Sequence, residues 1–517
     1  MDSDLDTDVS ALCLEVSRVA TLPSGRRKIE TNNEEHENSA GWTPMLLLAG
    51  ATCCLGSALP AGFNIGVMNN PAHLMQDFCN QSFEQRYNVH LTKEELNVVW
   101  SMIVSIFLIG GVTGSLVASW IADRLGRRGA LGIGNILAII GAICFLVVRS
   151  LNSVELLLVG RLFVGFSGGF ATSLLPVYLT EVAPLKQRGA VGVLCQLGIC
   201  CGVSLGQITS LGTVLGTEKS WHIMLASFAP ICIFALLVTF FLPESPKYLY
   251  VVKKQETKAL KELSRLRNME TVLLRSEVAL LREESLIEAA VDPWTIQRVT
   301  RDPTLKLPLI LVCALQFGQQ LSGINAVFYY SSSIFKNAGL DIAGAQYATL
   351  GTGVVNIGMA LVAVPLMSVF GRRTLFLTSC YTSSACLVVL CTSIVLINST
   401  PFMPWLCIAT VLIYVLLYGI GLGPIPYFIG SELFDIGPRP IATSLGSVFN
   451  WGGNFLVGMT FPSLQNFVGP YAFLLFSGIV LLLALFSRTY LPETRGRNTN
   501  DIASTMTKGL KSRPNEN

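Results

Sequence analysis

The sequence predicts an all-α membrane protein whose twelve transmembrane helices fall into two related six-helix bundles. Three observations carry that expectation. Hydrophobic residues make up 51% of the 517 positions and charged residues only 13%, with a mean hydropathy of +0.56. That balance leaves too little polar surface to wrap a soluble domain of this size. Twelve apolar stretches are each long enough to cross a hydrocarbon layer of roughly 30 Å. The same short polar landmarks also occur twice, in the same order, about 250 residues apart.

Residues 1–41 are polar and poor in aromatics, with Asp2, Asp4, Asp6, Asp8, Glu34, Glu35 and Glu37 among them, and read as a disordered tail. No short apolar core with a cleavage site opens the chain. Six apolar spans follow within 42–242, near 43–67, 95–121, 129–148, 153–179, 188–212 and 222–242. Six more lie within 306–491, near 306–335, 344–368, 373–397, 404–430, 439–463 and 470–490. The segment 243–305 between the sets mixes Lys253, Lys254, Glu256, Lys258 and Arg265, with Leu260, Leu263 and Leu266 at helical spacing. This predicts short amphipathic helices on a membrane face, or a solvated linker between the halves. Residues 492–517 read as a short, featureless second tail.

Charge placement sets the orientation. Arg124, Arg127, Arg128, Lys186, Arg188, Arg372, Arg373 and Arg439 share the side of the central segment, so both termini and that segment are expected in the cytoplasm. Two N-x-[ST] sequons, at Asn80 and Asn398, then fall outside, and Asn80, expected in mid-loop, is the glycosylation candidate. A net charge of +3 is too small to argue for nucleic acid. Most of the 14 cysteines, such as Cys53, Cys54, Cys200 and Cys201, sit in apolar runs, as packing residues do. The four histidines are scattered and no metal-ligand cluster or nucleophile motif appears, so neither an enzyme nor a metal or cofactor is expected.

The doubled landmarks are Gly126-Arg127-Arg128 with Gly371-Arg372-Arg373, Glu181 and Arg188 with Glu432 and Arg439, and Pro243-Glu244-Ser245 with Pro492-Glu493-Thr494. Duplicated six-helix halves are the architecture of secondary transporters, which hold their substrate near the midplane between the halves. Within the seventh span, QFGQQLSGINAVFYY (316–330) carries Gln316, Gln319, Gln320, Ser322 and Asn325, although an unpaired amide is costly in hydrocarbon. On an unbroken helix Gln319 and Asn325 would point about 240° apart. Gly323 lies between them and can relax the backbone. Amides offer donors and acceptors together, as hydroxyls do; the alternative is that they serve as packing glue between helices.

Taken in order, DRLGRR (123–128), GR (160–161), YLTEVAPLKQRG (178–189), PESPKYL (243–249), QQLSGINAVFYYS (319–331), GRR (371–373), GPIPYF (423–428), ELFDIGPRP (432–440), NWGGNF (450–455) and PETRG (492–496) resemble the sugar-porter branch of the major facilitator superfamily (MFS), close to the animal facilitative glucose (GLUT-type) transporters. The resemblance covers roughly 43–497 and implies the MFS fold. It further implies alternating-access uniport of a hexose across the plasma membrane by a monomer. The substrate site it implies comprises Gln196, Gln319, Gln320, Asn325, Asn356, Tyr427, Asn450, Trp451 and Asn454. A cytoplasmic latch would be made by Arg124, Arg127, Arg128, Glu181, Arg188, Arg372, Arg373, Glu432 and Arg439, an extracellular gate by Tyr329 and Tyr330, and a hinge in the tenth span by Pro424 and Pro426.

Several positions depart from the family pattern. Gln316-Phe317-Gly318 stands where glucose-selective members carry Gln-Leu-Ser, Gly419 and Tyr427 where they carry Glu and Trp, and Ser368 and Val369 where an acid and Arg are usual. Glucose or a related hexose is the expected substrate, with fructose, a polyol or urate, or a non-transporting sugar sensor, as alternatives. Asn64, in AGFN, occupies the place where proton-driven relatives carry Asp, and an amide does not titrate.

Overall fold

The computed structural model describes residues 41–68, 72–289, 294–328, 335, 339–497, 499–507 and 509–512, so the N-terminal tail up to residue 40 and the gate candidates Tyr329 and Tyr330 lie outside the described residues. Among the described residues the structure is helical throughout, with no strand. Ten helical stretches of the described residues are long and apolar enough to cross a membrane. One of them, Lys93–Val148, is two helices joined at Gly126, and the 30-residue Arg439–Val468 adds a further one, which brings the set to twelve. The first half comprises α1 (Pro44–Gly66), α2 (93–125), α3 (127–148), α4 (Val154–Val182), α5 (Arg188–Thr209) and α6 (Trp221–Thr239). The second comprises α7 (Lys306–Phe328), α8 (Ile342–Val369), α9 (Arg372–Val395), α10 (Met403–Leu433), α11 (Arg439–Val468) and α12 (Ala472–Tyr490).

The turn between α2 and α3 shows why glycine precedes the arginine pair. Gly126 has φ +88°, a conformation that costs glycine little, and a Cβ there would lie 2.2 Å from Glu244 Oε2. The glutamate comes that close because its Oε1 accepts the backbone N–H groups of Arg127 at 3.0 Å and Arg128 at 3.2 Å, the orphan donors at the start of α3. The second half repeats the device, with Glu493 Oε1 accepting from the Arg372 N–H at 2.7 Å. Burial raises the Glu244 carboxyl above its ordinary pKa, although the N–H groups of Ser245 and Arg128 pull the other way.

Three spans are interrupted, each beside the centre. In α1 a π-helical stretch occupies Cys54–Ala58. In α7 the α-helix stops at Gln320, Gly323 takes φ +85°, and the Tyr414 hydroxyl donates to the freed Ser322 carbonyl at 2.7 Å. This is the break the sequence predicts at Gly323. In α10 the helix stops at Ile420 and resumes at Ile425, so Pro424 and Pro426 sit at the restart, where proline's missing N–H costs nothing. Irregular backbone at membrane depth is tolerated only where protein surrounds it or it lines a cavity.

Three sequence expectations change. Asn80 is in no loop: it lies half-buried on the helix Ala72–Tyr87, which is pinned by Ser82 Oγ donating to the Asn152 carbonyl at 2.7 Å and by an Arg86–Glu155 ion pair at 2.6 Å. The segment after α6 is no solvated linker. Its helices Glu256–Arg267 and Arg275–Ala289 share a small core around Leu263, Leu274 and Leu281, joined by Ile436 from the second half. Arg267 donates to the Val182 carbonyl at 2.8 Å and Thr43 to the Leu266 carbonyl at 2.7 Å, which fastens this segment to the first bundle. The C-terminal stretch is not featureless either, because Thr499–Met506 is a helix with Ile502 and Met506 buried in the second half's core.

Candidate sugar site at the midplane

A cavity lies between the halves beside the breaks in α7 and α10, and eight of the nine residues assigned by sequence line it. Gln196 comes from α5, Gln320 and Asn325 from either side of the break in α7, Asn356 from α8, Tyr427 from the restarted part of α10, and Asn450, Trp451 and Asn454 from α11. The first half adds Ala61, Ile65, Thr172, Ile199, Cys200 and Val203. One wall is thus largely apolar and the other carries amides, an arrangement that suits a ring with C–H faces and an equatorial belt of hydroxyls.

The amides are partly bonded to one another. Gln320 Nε2 donates to Asn450 Oδ1 at 2.9 Å, Asn450 Nδ2 donates to Gln316 Oε1 at 2.8 Å and to Gln319 Oε1 at 2.6 Å, and Asn325 Nδ2 donates to Gln320 Oε1. Asn356 Oδ1, on the cavity wall, is buried with no protein partner. Gln319 is the correction to the assigned set. It does not line the cavity, is wholly buried, and donates to the Gly423 carbonyl in the break of α10. The reason is geometric: α7 is still helical at 319–320, so neighbouring side chains diverge by about 100° and only Gln320 faces inward. Gln319 braces the hinge region instead, together with Ser379 of α9, whose hydroxyl accepts from the Leu422 N–H at 3.0 Å.

Trp451 joins the halves. A Cβ at Gly111 of α2 or Gly168 of α4 would come within 2.4 Å or 3.0 Å of its ring, so these glycines make the slot it fills. Its Nε1 donates to Thr172 Oγ1 at 3.0 Å and its ring meets Phe107 edge-on at 5.3 Å. Ser447, one turn earlier on α11, sits 2.6 Å from Thr172 Oγ1 and 2.9 Å from Ser115 Oγ. Sequence reasoning missed these hydroxyls, because lone Ser and Thr in apolar helices usually bond back to their own backbone and give no distinguishing signal. At Gly419 a Cβ would be 2.7 Å from Met359 Cγ, so the thioether of Met359 takes the room beside that glycine.

Residues 50–505 match the family model described as "Sugar (and other) transporter". The chain belongs to the sugar transporter family. It is 39% identical over 461 residues to facilitated glucose transporter member 3 of Mus musculus, covering 89% of this chain and 92% of the relative. It is 35% identical over 473 residues to member 1 of Gallus gallus, covering 92% and 96%, and 36% identical over 470 residues to member 5 of Rattus norvegicus, covering 91% and 93%. Among solved structures it is similar to the proton:xylose symporter XylE bound to 6-bromo-6-deoxy-D-glucose, with a TM-score of 0.76 at 22% identity over 89% of this chain and 98% of that one, a likeness that places it in the MFS fold. This member of the sugar transporter family is therefore a membrane carrier of sugar, and no enzyme.

At the face that carries the central segment, the transporter's doubled landmarks form two similar charge clusters. Glu181 is buried and receives Arg127 Nε at 3.1 Å and Ser245 Oγ at 2.6 Å. Glu432 receives Arg372 at 3.1 Å and the Thr494 hydroxyl. Arg439 of the second half crosses to Glu181 of the first at 3.6 Å. The reciprocal pair is absent: among the described residues no ion pair joins Arg188 to Glu432. Arg128 and Arg373 are not in the ion pairs but cap the ends of their own bundles, donating to the Leu242 and Arg488 carbonyls at 2.8 Å and 2.7 Å. Arg124 is outside the latch altogether, exposed, with its guanidinium 4.0 Å above the Trp120 ring. At Ser368 and Val369 the backbone carbonyls are capped by Arg495. Asp435, next to this face, has its carboxyl raised by burial, with Arg439 opposing.

Proposed function

We propose that the protein is a passive uniporter that carries a neutral hexose by alternating access, with its basic face and both termini in the cytoplasm of a cell and the chain acting as a monomer in the plasma membrane. The observation that carries this reading is the chemistry of the midplane cavity: amides from both halves, aromatic rings from the second, and among its described lining residues no carboxylate or cation. A neutral polyol exchanges water for such groups at little electrostatic cost, and binding near 1 mM, about −4 kcal/mol, leaves release fast. Asn64 supports passive movement. It is buried, its side-chain Nδ2 donates to the Pro60 carbonyl at 2.9 Å, and its backbone carbonyl accepts from the buried Arg161 at 2.9 Å, so the side chain near that cation is an amide with no proton to exchange. Opening toward the cytoplasm requires the Arg439–Glu181 link to part.

D-glucose is one candidate hexose, since relatives are named for it. Met359 crowding Gly419, and Tyr427 on the wall, favour a wider choice that includes fructose and polyols, because sites discriminate by the polar partners they offer. The test is tracer uptake of glucose, fructose, inositol and urate into proteoliposomes with and without imposed pH and Na⁺ gradients. Equilibration of one hexose to the same level in every gradient supports passive uniport. Accumulation above equilibrium, or flux of none of the sugars, overturns it.

A further inference from the structure

The central cavity does not use up the unpaired polar groups between the halves. Farther along α5, in the direction away from the latch, Gln207 is 3% exposed and neither Nε2 nor Oε1 has a hydrogen-bond partner. Ser204, 6% exposed, likewise leaves Oγ unpartnered. Both face Gly353 of α8, where a Cβ would stand 2.6 Å from Ser204 Oγ and 2.9 Å from Gln207 Oε1. One turn inward on α8 is Asn356, whose partnerless Oδ1 belongs to the central cavity.

We propose that Ser204, Gln207 and the open side of Gly353 form a second sugar-hydroxyl subsite, on the extracellular side of the central one. Gln207 follows Gln196 by eleven positions on one helix, which at about 100° per residue returns it to within about 20° of the same direction and at 1.5 Å per residue sets it roughly 16 Å farther out. The α5 face that lines the cavity through Gln196, Cys200 and Val203 thus continues into this seam. Buried amides and hydroxyls without partners are rare because they cost stability, and they persist where a ligand satisfies them during part of a working cycle. α5 and α8 belong to different halves and pack along each other, so rocking the halves apart on the outer side uncovers the trio. An amide and a hydroxyl supply donors and acceptors without charge, which selects a neutral hydroxyl-bearing ligand over an ion. The glycine is the spacer: any side chain at 353 would fill the place a hydroxyl takes.

This inference rests on the sugar-transport reading, and one experiment separates the two. Uptake of D-glucose or D-fructose, whichever the wild type carries faster, is measured in oriented proteoliposomes with maltose or sucrose outside. A second ring on a sugar held in the central cavity reaches toward the seam. Gln207→Met, which keeps the volume, Ser204→Ala and Gly353→Ala should each weaken disaccharide inhibition about threefold to tenfold and leave the monosaccharide KM within about twofold, whereas Gln320→Ala should weaken both. Equal shifts for both sugars in the Gln207→Met protein would mark a structural role and overturn the subsite. So would disaccharide inhibition that no variant changes, the result expected if the trio binds water alone, or a wild type that carries hexose but is not inhibited by either disaccharide. A wild type that carries no hexose would instead remove the sugar reading itself.

Discussion

Cutting the one ion pair that, among the described residues, crosses between the halves should bias the carrier toward its inward-open form. Arg439 and Glu181 are both buried and 3.6 Å apart, and Coulomb attraction at an effective dielectric constant of 20 is about 4–5 kcal/mol at that distance. Most of it is offset by the cost of burying both charges. Glu181 also keeps Arg127 and Ser245 when Arg439 is lost, so Arg439→Ala leaves no stranded carboxylate, and the expected loss is about 1–2 kcal/mol. Each 1.4 kcal/mol is tenfold, so the equilibrium between closed and open latch should move by about 5-fold to 30-fold. The readout is the ratio of affinities for a non-transported hexose derivative presented from outside and from inside, because that ratio follows the populations of the two states. Arg439→Ala should raise the inside preference by this factor, and Arg124→Ala, whose guanidinium rests on Trp120, should leave it unchanged. An unchanged ratio in Arg439→Ala, or an equal change in Arg124→Ala, would refute the latch.

Other changes follow from the same contacts. Asn64→Asp places a titratable group beside the carbonyl that holds Arg161, so uptake should become dependent on pH where the parent's is flat, as read from initial rates across pH 5 to 8 (a range of about 3 units around the histidine pKa). Gly419→Glu forces a side chain against Met359 Cγ, 2.7 Å from the new Cβ, and should destabilise by about 1–3 kcal/mol; pairing it with Met359→Ala should recover the melting temperature and raise selectivity for glucose over fructose. Trp451→Ala empties the slot between Gly111 and Gly168 and removes the bond to Thr172, for a loss of about 3–5 kcal/mol visible as a lower Tm in detergent.

The spans, the duplication and most of the cavity were legible in the sequence because lipid punishes exceptions. An amide in an apolar run must have a partner, so Gln320 and Asn325 announce a polar centre, and the family resemblance adds Asn450 and Asn454 to it. The break at Gly323 was legible from a glycine set between polar positions, although the angular argument paired Asn325 with Gln319, which turns to Gly423 and not to the cavity. Side-chain direction within one turn was not. Gln319 and Gln320 are neighbours of identical chemistry, and only the roughly 100° between them on the last helical turn before the break sends one to the cavity and the other to Gly423. The latch shows the same limit. Arg124, Arg127 and Arg128 read as a block, yet the turn at Gly126 sends Arg127 to Glu181 and Arg128 to the end of α6, while Arg124, before the turn, stays on Trp120 of its own helix. Asn80 and the helix 499–506 were misjudged because polar, weakly periodic segments resemble loops until they are packed against something.

The central claim is that amides of the second half, at the interface with the first, hold the sugar. Hexose uptake into proteoliposomes by Gln320→Ala and Asn450→Ala, each with folding verified by Tm, tests it most directly. The account predicts a KM at least about tenfold higher in both, since each loses bonds worth about 0.5–1.5 kcal/mol apiece. Wild-type KM and Vmax in both variants would contradict it.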